Sequence, residues 1–178
     1  MNITTTLERN ITDAHAKEIR ALQECAFPQT EEFRTQRHWH TPVADEDCWI
    51  GARIDGKLVG SVCIMFRTIS TPIGDLRIGG IGNVCSHPDA RGQGAAKACM
   101  RAAGAVIEAS CDFGLLGCGD VVLAFYQSLR WSRIDNEVIW TDADGNPQVH
   151  DPNVMILPGT RPLAEWPDGT IDLNGPNW

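Results

Sequence analysis

The chain has 178 residues, of which 43% are hydrophobic, and carries a formal net charge of -8 at pH 7. This length and apolar content predict a single domain over residues 1–178 with a sizeable core. The acidic balance disfavours nucleic acid and anionic membranes as partners, and it would attract a cationic small molecule.

The seven cysteines form no CxxC pair and show no Cys/His spacing that suits a metal. They are interpreted as small core residues, and no metal site is predicted. The opening sequence MNITTTLERN lacks the basic and apolar regions of a signal peptide, and no apolar run approaches the ~18 residues of a membrane span. These features predict a cytoplasmic protein in reducing surroundings.

The first part of the chain predicts a strand, two helices and a hairpin. Residues Ile3 to Leu7 favour a strand, and apolar residues at helical spacing after the cap residue Thr12 predict a first helix. A second, short helix is predicted in TEEFRTQRHW, residues 30–39. Two β-rich runs then flank Asp55-Gly56, a dipeptide typical of hairpin turns.

The middle of the chain alternates strands and helices. After the loop STPIGD, the segment LRIGGIGNVCSHP predicts a partly irregular strand that stops at His87-Pro88. The Ala-rich pattern from Gln93 to Ser110 predicts the strongest helix. FGLLGCG predicts a short buried strand, and DVVLAFYQSLRW predicts another helix.

The last third is predicted to hold two strands, in IDNEVIWTDADGNPQ and in NVMILP, joined by a turn at Asp144-Gly145 and followed by a Pro/Gly-rich tail to Trp178. The full order of elements, β-α-α-β-β-β-α-β-α-β-β, predicts an α+β fold. Its central sheet is expected to be mixed, twisted and flanked by helices.

The stretch HPDARGQGAA lies between a predicted strand and a predicted helix. Glycines there let the backbone turn tightly, so that its amide groups point at whatever lies at the helix end. The helix dipole adds about half a positive charge and Arg91 adds a full one, which suits a pyrophosphate. An ordinary strand-to-helix turn is the alternative. The cluster Gly79-Gly80-Ile81-Gly82 lacks the GxGxxG spacing of a dinucleotide site.

Two segments together resemble the GNAT superfamily of N-acetyltransferases. HPDARGQGAA is similar to the acyl-CoA pyrophosphate loop of that superfamily, and AFYQSLRW resembles its second conserved segment. Within it, LRIGGIGNVCSHPDARGQG through FYQSLRW resembles the aminoglycoside 2'-N-acetyltransferases. The tail EWPDGTIDLNGPNW is similar to the closing segment of nodulation protein A, an N-acyltransferase. Both relatives acylate the C2 amine of a hexosamine-type sugar, and the resemblance covers roughly Leu76 to Trp178.

The resemblance implies the GNAT fold, with a splayed strand pair that binds acetyl-CoA as the cofactor. The Val84 N–H would be aimed at the thioester oxygen, where it would stabilise developing negative charge. The pyrophosphate would be held mostly by backbone N–H groups. The implied cofactor-binding residues are Val84, Cys85, Ser86, Arg91, Gly92, Gln93, Gly94, Ala95 and Ala96.

Tyr126 is the only tyrosine in the chain. The resemblance makes it the general acid that protonates the leaving thiolate. An ordinary tyrosine pKa of about 10 suits a donor to a thiolate of pKa about 8.5 or above. The alternative is a tyrosine that only packs in the core.

The general base is left open. The relatives carry a Glu at or near the positions of Gly82 and Gly80, whereas this strand offers no carboxylate. Other groups could act as the base in place of that Glu: Asp168, Asp172, His40, Glu32 and the terminal carboxylate of Trp178, which the resemblance places in the substrate pocket. The alternative is that these residues only cap a turn or lie at the surface.

A polycationic aminoglycoside would need carboxylates and aromatic faces around it. The predicted substrate contacts are Glu32, Trp39, His40, Asp172 and Trp178. Further candidates for this lining are Asp45, Glu46, Asp47 and Trp166. The remaining tryptophans, Trp49, Trp131 and Trp140, are predicted to be core residues.

The leading hypothesis is an acetyl-CoA-dependent N-acetyltransferase that modifies the 2'-amine of an aminoglycoside and so confers resistance. Because the strand Glu is missing, kasugamycin is a candidate substrate. The alternatives are a nodulation-type N-acyltransferase on an amino sugar or chitooligosaccharide, and a non-catalytic acyl-CoA sensor, against which the intact Tyr126 speaks. The resemblance also implies a homodimer.

Overall fold

The computed structural model describes residues 1–27, 44–150 and 153–177. The helix predicted at residues 30–39 lies outside the described residues, as do Glu32, Trp39, His40 and Trp178. The chain divides into two compact units, Met1–Met65 with Gly82–Ala103 and Phe66–Ile81 with Gly104–Trp178. The single domain predicted over residues 1–178 stays a prediction.

The described residues hold three α-helices and ten strands. The helices are α1 Asp13–Ala26, α2 Ala95–Ser110 and α3 Leu123–Gln127. The strands are β1 Asn2–Leu7, β2 Cys48–Ile54, β3 Lys57–Thr71, β4 Gly74–Ser86, β5 Phe113–Gly117, β6 Ser132–Arg133, β7 Val138–Thr141, β8 Pro147–Val149, β9 Val154–Pro158 and β10 Ile171–Asp172.

In the first unit, β2 pairs antiparallel with both β1 and β3. Asp55 and Gly56 take φ values of 50° and 80°, which closes the predicted hairpin with a turn of the favoured hand. α1 begins where the Thr12 hydroxyl accepts a hydrogen bond from the His15 backbone N–H at 3.3 Å. The predicted first helix, its cap and the hairpin are therefore confirmed.

In the second unit, β9 pairs antiparallel with β5 and β6, and β10 runs parallel to β7. β4 pairs parallel with β5 over only three residue pairs, Ile78–Phe113 to Gly80–Leu115, although both strands extend further. Parallel and antiparallel pairings thus coexist, which confirms the predicted α+β fold with a mixed sheet.

The prediction for the last third was wrong in its connectivity. The turn at Asp144-Gly145 joins β7 to β8 in a small hairpin, and β9 is a separate strand. The Asp142 carboxylate accepts hydrogen bonds from the Asp144 and Asn146 backbone N–H groups at 3.0 and 2.8 Å, which tightens the turn. The apolar run of β9 is consequently free to pair with β5.

The helix predicted over DVVLAFYQSLRW is also shorter than expected. A 3-10 turn at Asp120–Val122 precedes α3, which ends at Gln127. The Ser128 hydroxyl donates to the Phe125 carbonyl at 2.6 Å, and Arg130 takes a φ of 71°, which is incompatible with a continuing helix.

The cysteines are free thiols. The core interpretation is confirmed for the five buried ones, wrong for the exposed Cys25, and half right for Cys118, which is partly buried. Trp49 and Trp131 are buried as predicted, while Trp140 is partly exposed. Across residues 1–27, 44–150 and 153–177, no helix is long and apolar enough to cross a membrane.

Candidate functional site

The end of β4 is fixed by hydrogen bonds and by a proline. The His87 N–H donates to the Val59 carbonyl at 2.8 Å, and Pro88, which has no N–H, opens a 3-10 turn that ends at Ala90. The His87 side chain accepts from the Asp89 N–H at 3.3 Å. The turn therefore starts at a defined point beside β3.

The loop that follows presents free backbone donors. Gly92 and Gly94 take φ values of 77° and 81°, a region that favours glycine. Two N–H groups of this loop already have acceptors within the turn. The Arg91 N–H donates to the Pro88 carbonyl and the Gln93 N–H to the Ala90 carbonyl, both at 3.2 Å. Between Arg91 and Ala98, the backbone N–H groups without a carbonyl acceptor are those of Gly92, Gly94, Ala95, Ala96 and Lys97.

These amides lie at the N-terminus of α2, a helix of 16 residues with no acidic side chain in its first turn. The helix dipole is therefore uncompensated there, and the exposed Arg91 lies in the loop that leads into it. Free amides, dipole and guanidinium together make an anion site that fits a pyrophosphate.

Gly60 on β3 sets how close α2 can lie to the sheet, and sequence reasoning missed it. A Cβ atom there would lie 3.0 Å from the Ala95 Cβ and 3.3 Å from its backbone carbon. A glycine inside a predicted strand is the signal that could have pointed to a close approach.

We expect Gly60→Val to move the start of α2 and so weaken acetyl-CoA binding by roughly tenfold, since misplaced donors lose hydrogen bonds to the phosphates. Isothermal titration calorimetry would measure the dissociation constant. The matched control is Gly51→Val, because a Cβ at Gly51 would meet the end of the Leu58 side chain at 2.8 Å instead of α2. Equal weakening in both variants would contradict the role given to Gly60.

The end of β4 also holds the residues predicted to line the pantetheine arm. Val84 and Ser86 are partly exposed, whereas Cys85 is buried, and burial followed by the neighbouring Cys99 raises the pKa of the Cys85 thiol to about 12. Cys85 belongs to a buried cluster with Leu58 and with Leu22 of α1. Its thiol is thus a neutral core group, and its backbone is the part that can face a cofactor.

Tyr126 lies on α3 in the second unit and is 7% exposed. Its ring makes edge contacts with Phe125 and Trp131, at centroid distances of 5.1 and 6.5 Å. Burial, and after it the charge of Cys118, raises the Tyr126 pKa to about 12. The phenol is therefore held rigidly and stays protonated at neutral pH.

The tail around the predicted contact Asp172 is fixed by side chains that the sequence did not reveal. The Arg67 guanidinium donates to the carbonyls of Leu173 and Pro176 at 3.3 and 2.6 Å. One Asp172 carboxylate oxygen accepts from the Asn174 N–H at 2.8 Å, the turn-capping role that was its alternative. Its second oxygen is left for another partner.

Two further lining candidates have structural partners. Asp47 is buried and accepts from the Ala44 N–H at 3.0 Å. Trp166 donates from Nε1 to Asn136 Oδ1 at 2.9 Å and packs edge-on against Phe113. By contrast, Asp45, Glu46 and Asp168 are exposed. Within the described ranges, no group of three or more His, Cys, Asp or Glu side chains could hold a metal ion.

A family model described as an acetyltransferase (GNAT) domain matches residues 8–110. The fold is similar to a GNAT family N-acetyltransferase from Escherichia coli in complex with CoA, with a TM-score of 0.66, 15% identity, and coverage of 98% of this chain and 91% of that one. It is also similar to a GNAT family acetyltransferase from Brucella melitensis in complex with acetyl-CoA, with a TM-score of 0.59, 17% identity, and coverage of 96% and 94%.

A third similar structure is a probable N-acyltransferase from Enterococcus faecalis, with a TM-score of 0.57 and 20% identity over 75% of this chain. The match covers only 33% of that longer protein. No curated protein matches the chain.

Proposed function

This chain belongs to the GNAT acetyltransferase family, and we propose that it transfers an acetyl group from acetyl-CoA to the 2'-amine of an aminoglycoside, with antibiotic resistance as the result. The observation that carries the acetyl-CoA part is the loop at the start of α2. Free amides at Gly92, Gly94, Ala95 and Ala96 fit a pyrophosphate, the group that joins the pantetheine arm of coenzyme A to its adenosine.

At the donor end, acetyl-CoA supplies a thioester whose acetyl carbon is open to attack. The loop amides and Arg91 would hold the phosphates, and the backbone at Val84, Cys85 and Ser86 would pair with the arm. The Val84 N–H would donate to the thioester oxygen, where negative charge grows as the amine attacks.

Tyr126 would supply the proton that the leaving sulfur needs. With a pKa of about 12 it stays neutral at working pH, so its hydroxyl remains a donor. Complete proton transfer to a thiolate of pKa about 8.5 would be uphill. The proton is therefore shared with sulfur in the transition state, and any tyrosinate formed takes a proton back from solvent.

The formal charge of -8 supports a polycationic acceptor over an uncharged sugar, because the acidic protein attracts ammonium groups. The attacking amine must be neutral, and the base that deprotonates it stays among Asp168, Asp172, Glu32, His40 and the Trp178 carboxylate.

The homodimer stays a prediction. The similarity of the tail to nodulation protein A keeps an N-acyltransferase on an amino sugar as the second candidate, and a non-catalytic acyl-CoA sensor is the third.

The deciding experiment follows free-thiol release from acetyl-CoA by the purified protein. The panel holds tobramycin, gentamicin, kasugamycin and a de-N-acetylated chitooligosaccharide, and product mapping locates the acetyl group. Turnover of an aminoglycoside at its 2'-amine is the expected result. Turnover of the chitooligosaccharide alone would favour the second candidate, and coenzyme A binding without turnover would favour a sensor.

A further inference from the structure

Asn83 combines three unusual features at one position of β4. Its φ is 55°, in the left-handed region, although it lies within a strand. The residue is only 7% exposed. Its side-chain Oδ1 is fully buried and has no hydrogen-bond partner among the described residues.

Two of these features, the unpartnered oxygen and the positive φ, disfavour the folded state unless something compensates for them. A buried amide oxygen without a donor has lost its hydrogen bonds to water and gained none in return. A positive φ strains a residue that has a Cβ, although asparagine tolerates it better than most. Strain and an unsatisfied polar group at one residue point to a functional role, in which a bound molecule supplies the missing donor.

The position of Asn83 narrows the choice of that molecule. It directly precedes Val84 and shares a compact unit with the loop from Arg91 to Gly94. From Ile78 to Val84 the strand reads IGGIGNV, so Asn83 carries the one side chain there that can accept a hydrogen bond. The arm of coenzyme A can pair with backbone groups of β4, which leaves the Asn83 carboxamide for the other reactant.

We propose that Asn83 Oδ1 accepts a hydrogen bond from an N–H of the acceptor amine and positions its nitrogen for attack; this rests on the proposed function. A carboxamide is uncharged, so it holds an N–H without stabilising the unreactive ammonium form as a carboxylate would. The nitrogen lone pair stays free for attack. Asn83 therefore orients a primary amine and favours its charged form less than a carboxylate would.

Asn83 forms and breaks no covalent bond during acetyl transfer. The amine nitrogen forms the C–N bond to the acetyl carbon while the C–S bond breaks and its electron pair goes to sulfur. The sulfur is protonated by Tyr126 or solvent, and the amine loses one proton to the general base, directly or through water. Asn83 holds the second N–H, which the amide product keeps.

The test replaces Asn83 by glycine, which accepts the same φ and removes only the side chain with its oxygen. With the panel amine that the unmodified enzyme turns over fastest, we expect kcat/KM for the amine to fall about 5- to 100-fold. The dissociation constant of acetyl-CoA should stay within about twofold, because the loop and backbone are untouched. Asp55→Gly is the control for placing a glycine at a positive φ, since Asp55 has a φ of 50° in the β2–β3 turn.

A second variant, Asn83→Asp, keeps the shape and adds a charge. If Asn83 Oδ1 contacts the acceptor amine, the pH optimum of the Asn83→Asp variant should lie at higher pH than that of the wild type. The reason is that a carboxylate stabilises the ammonium form of the amine. An unchanged kcat/KM in Asn83→Gly, or an equal loss of acetyl-CoA affinity, overturns the role of Asn83 while the proposed function stands. An inactive wild type with every amine overturns the proposed function and this role with it.

Discussion

Replacing Tyr126 by phenylalanine should lower kcat about 10²- to 10⁴-fold, the range that a lost general acid typically costs. The substitution removes one oxygen from a side chain that is buried against Phe125 and Trp131, so the packing should persist. Free-thiol release with acetyl-CoA and the best amine of the panel measures kcat. The dissociation constant of acetyl-CoA should not change.

The same variant should also differ from the wild type in how its folding stability depends on pH. The folded pKa of Tyr126, about 12, lies above the ordinary value near 10. Its contribution to stability is therefore complete below pH 10 and is lost as the pH rises from 10 to 12, because the unfolded chain ionises first. Tyr126→Phe should lose less stability than the wild type between pH 9 and 11, as read from urea midpoints at each pH.

Phe125→Leu is the control for packing, since it removes the neighbouring ring and no hydroxyl. It should lower stability and leave kcat within a small factor. A Tyr126→Phe variant with wild-type kcat would assign Tyr126 to the core alone. Without any turnover in the wild type, the sensor hypothesis would instead be strengthened.

The features that the sequence predicts well are local. A loop of the type Arg-Gly-Gln-Gly needs glycines at positive φ, and Gly92 and Gly94 show it. The Asp55-Gly56 turn is local in the same sense, since a dipeptide fixes the hairpin. Such features need only the conformational preferences of a few neighbouring residues.

The features that the sequence does not predict depend on partners far along the chain. Gly60 matters because of its distance to Ala95, and Arg67 because it holds carbonyls more than 100 residues away. The pairing of β9 with β5 could not be seen from the turn at residues 142–146. Two missed features had a local sign: Gly60 is a glycine inside a predicted strand, and Asn83 is a residue type that tolerates a positive φ.

Replacing Gly92 and Gly94 together by alanine should raise the dissociation constant of acetyl-CoA about 30- to 1,000-fold. Alanine in the left-handed region costs about 1–2 kcal/mol at each position. The exposed loop can relax to avoid this strain when it is empty, and it must take the strained form again to aim its amides at the phosphates. The strain therefore lowers affinity more than stability, and calorimetry with acetyl-CoA measures the loss.

Gly56→Ala is the matched control, because Gly56 has a φ of 80° and a Cβ atom added there would meet no neighbouring atom within 4 Å. It introduces the same backbone strain into a hairpin turn that the cofactor does not need. We expect its unfolding free energy to fall while acetyl-CoA affinity holds. If the loop variant instead binds acetyl-CoA as tightly as the wild type, the turn is an ordinary strand-to-helix connection, and the phosphates must be held elsewhere.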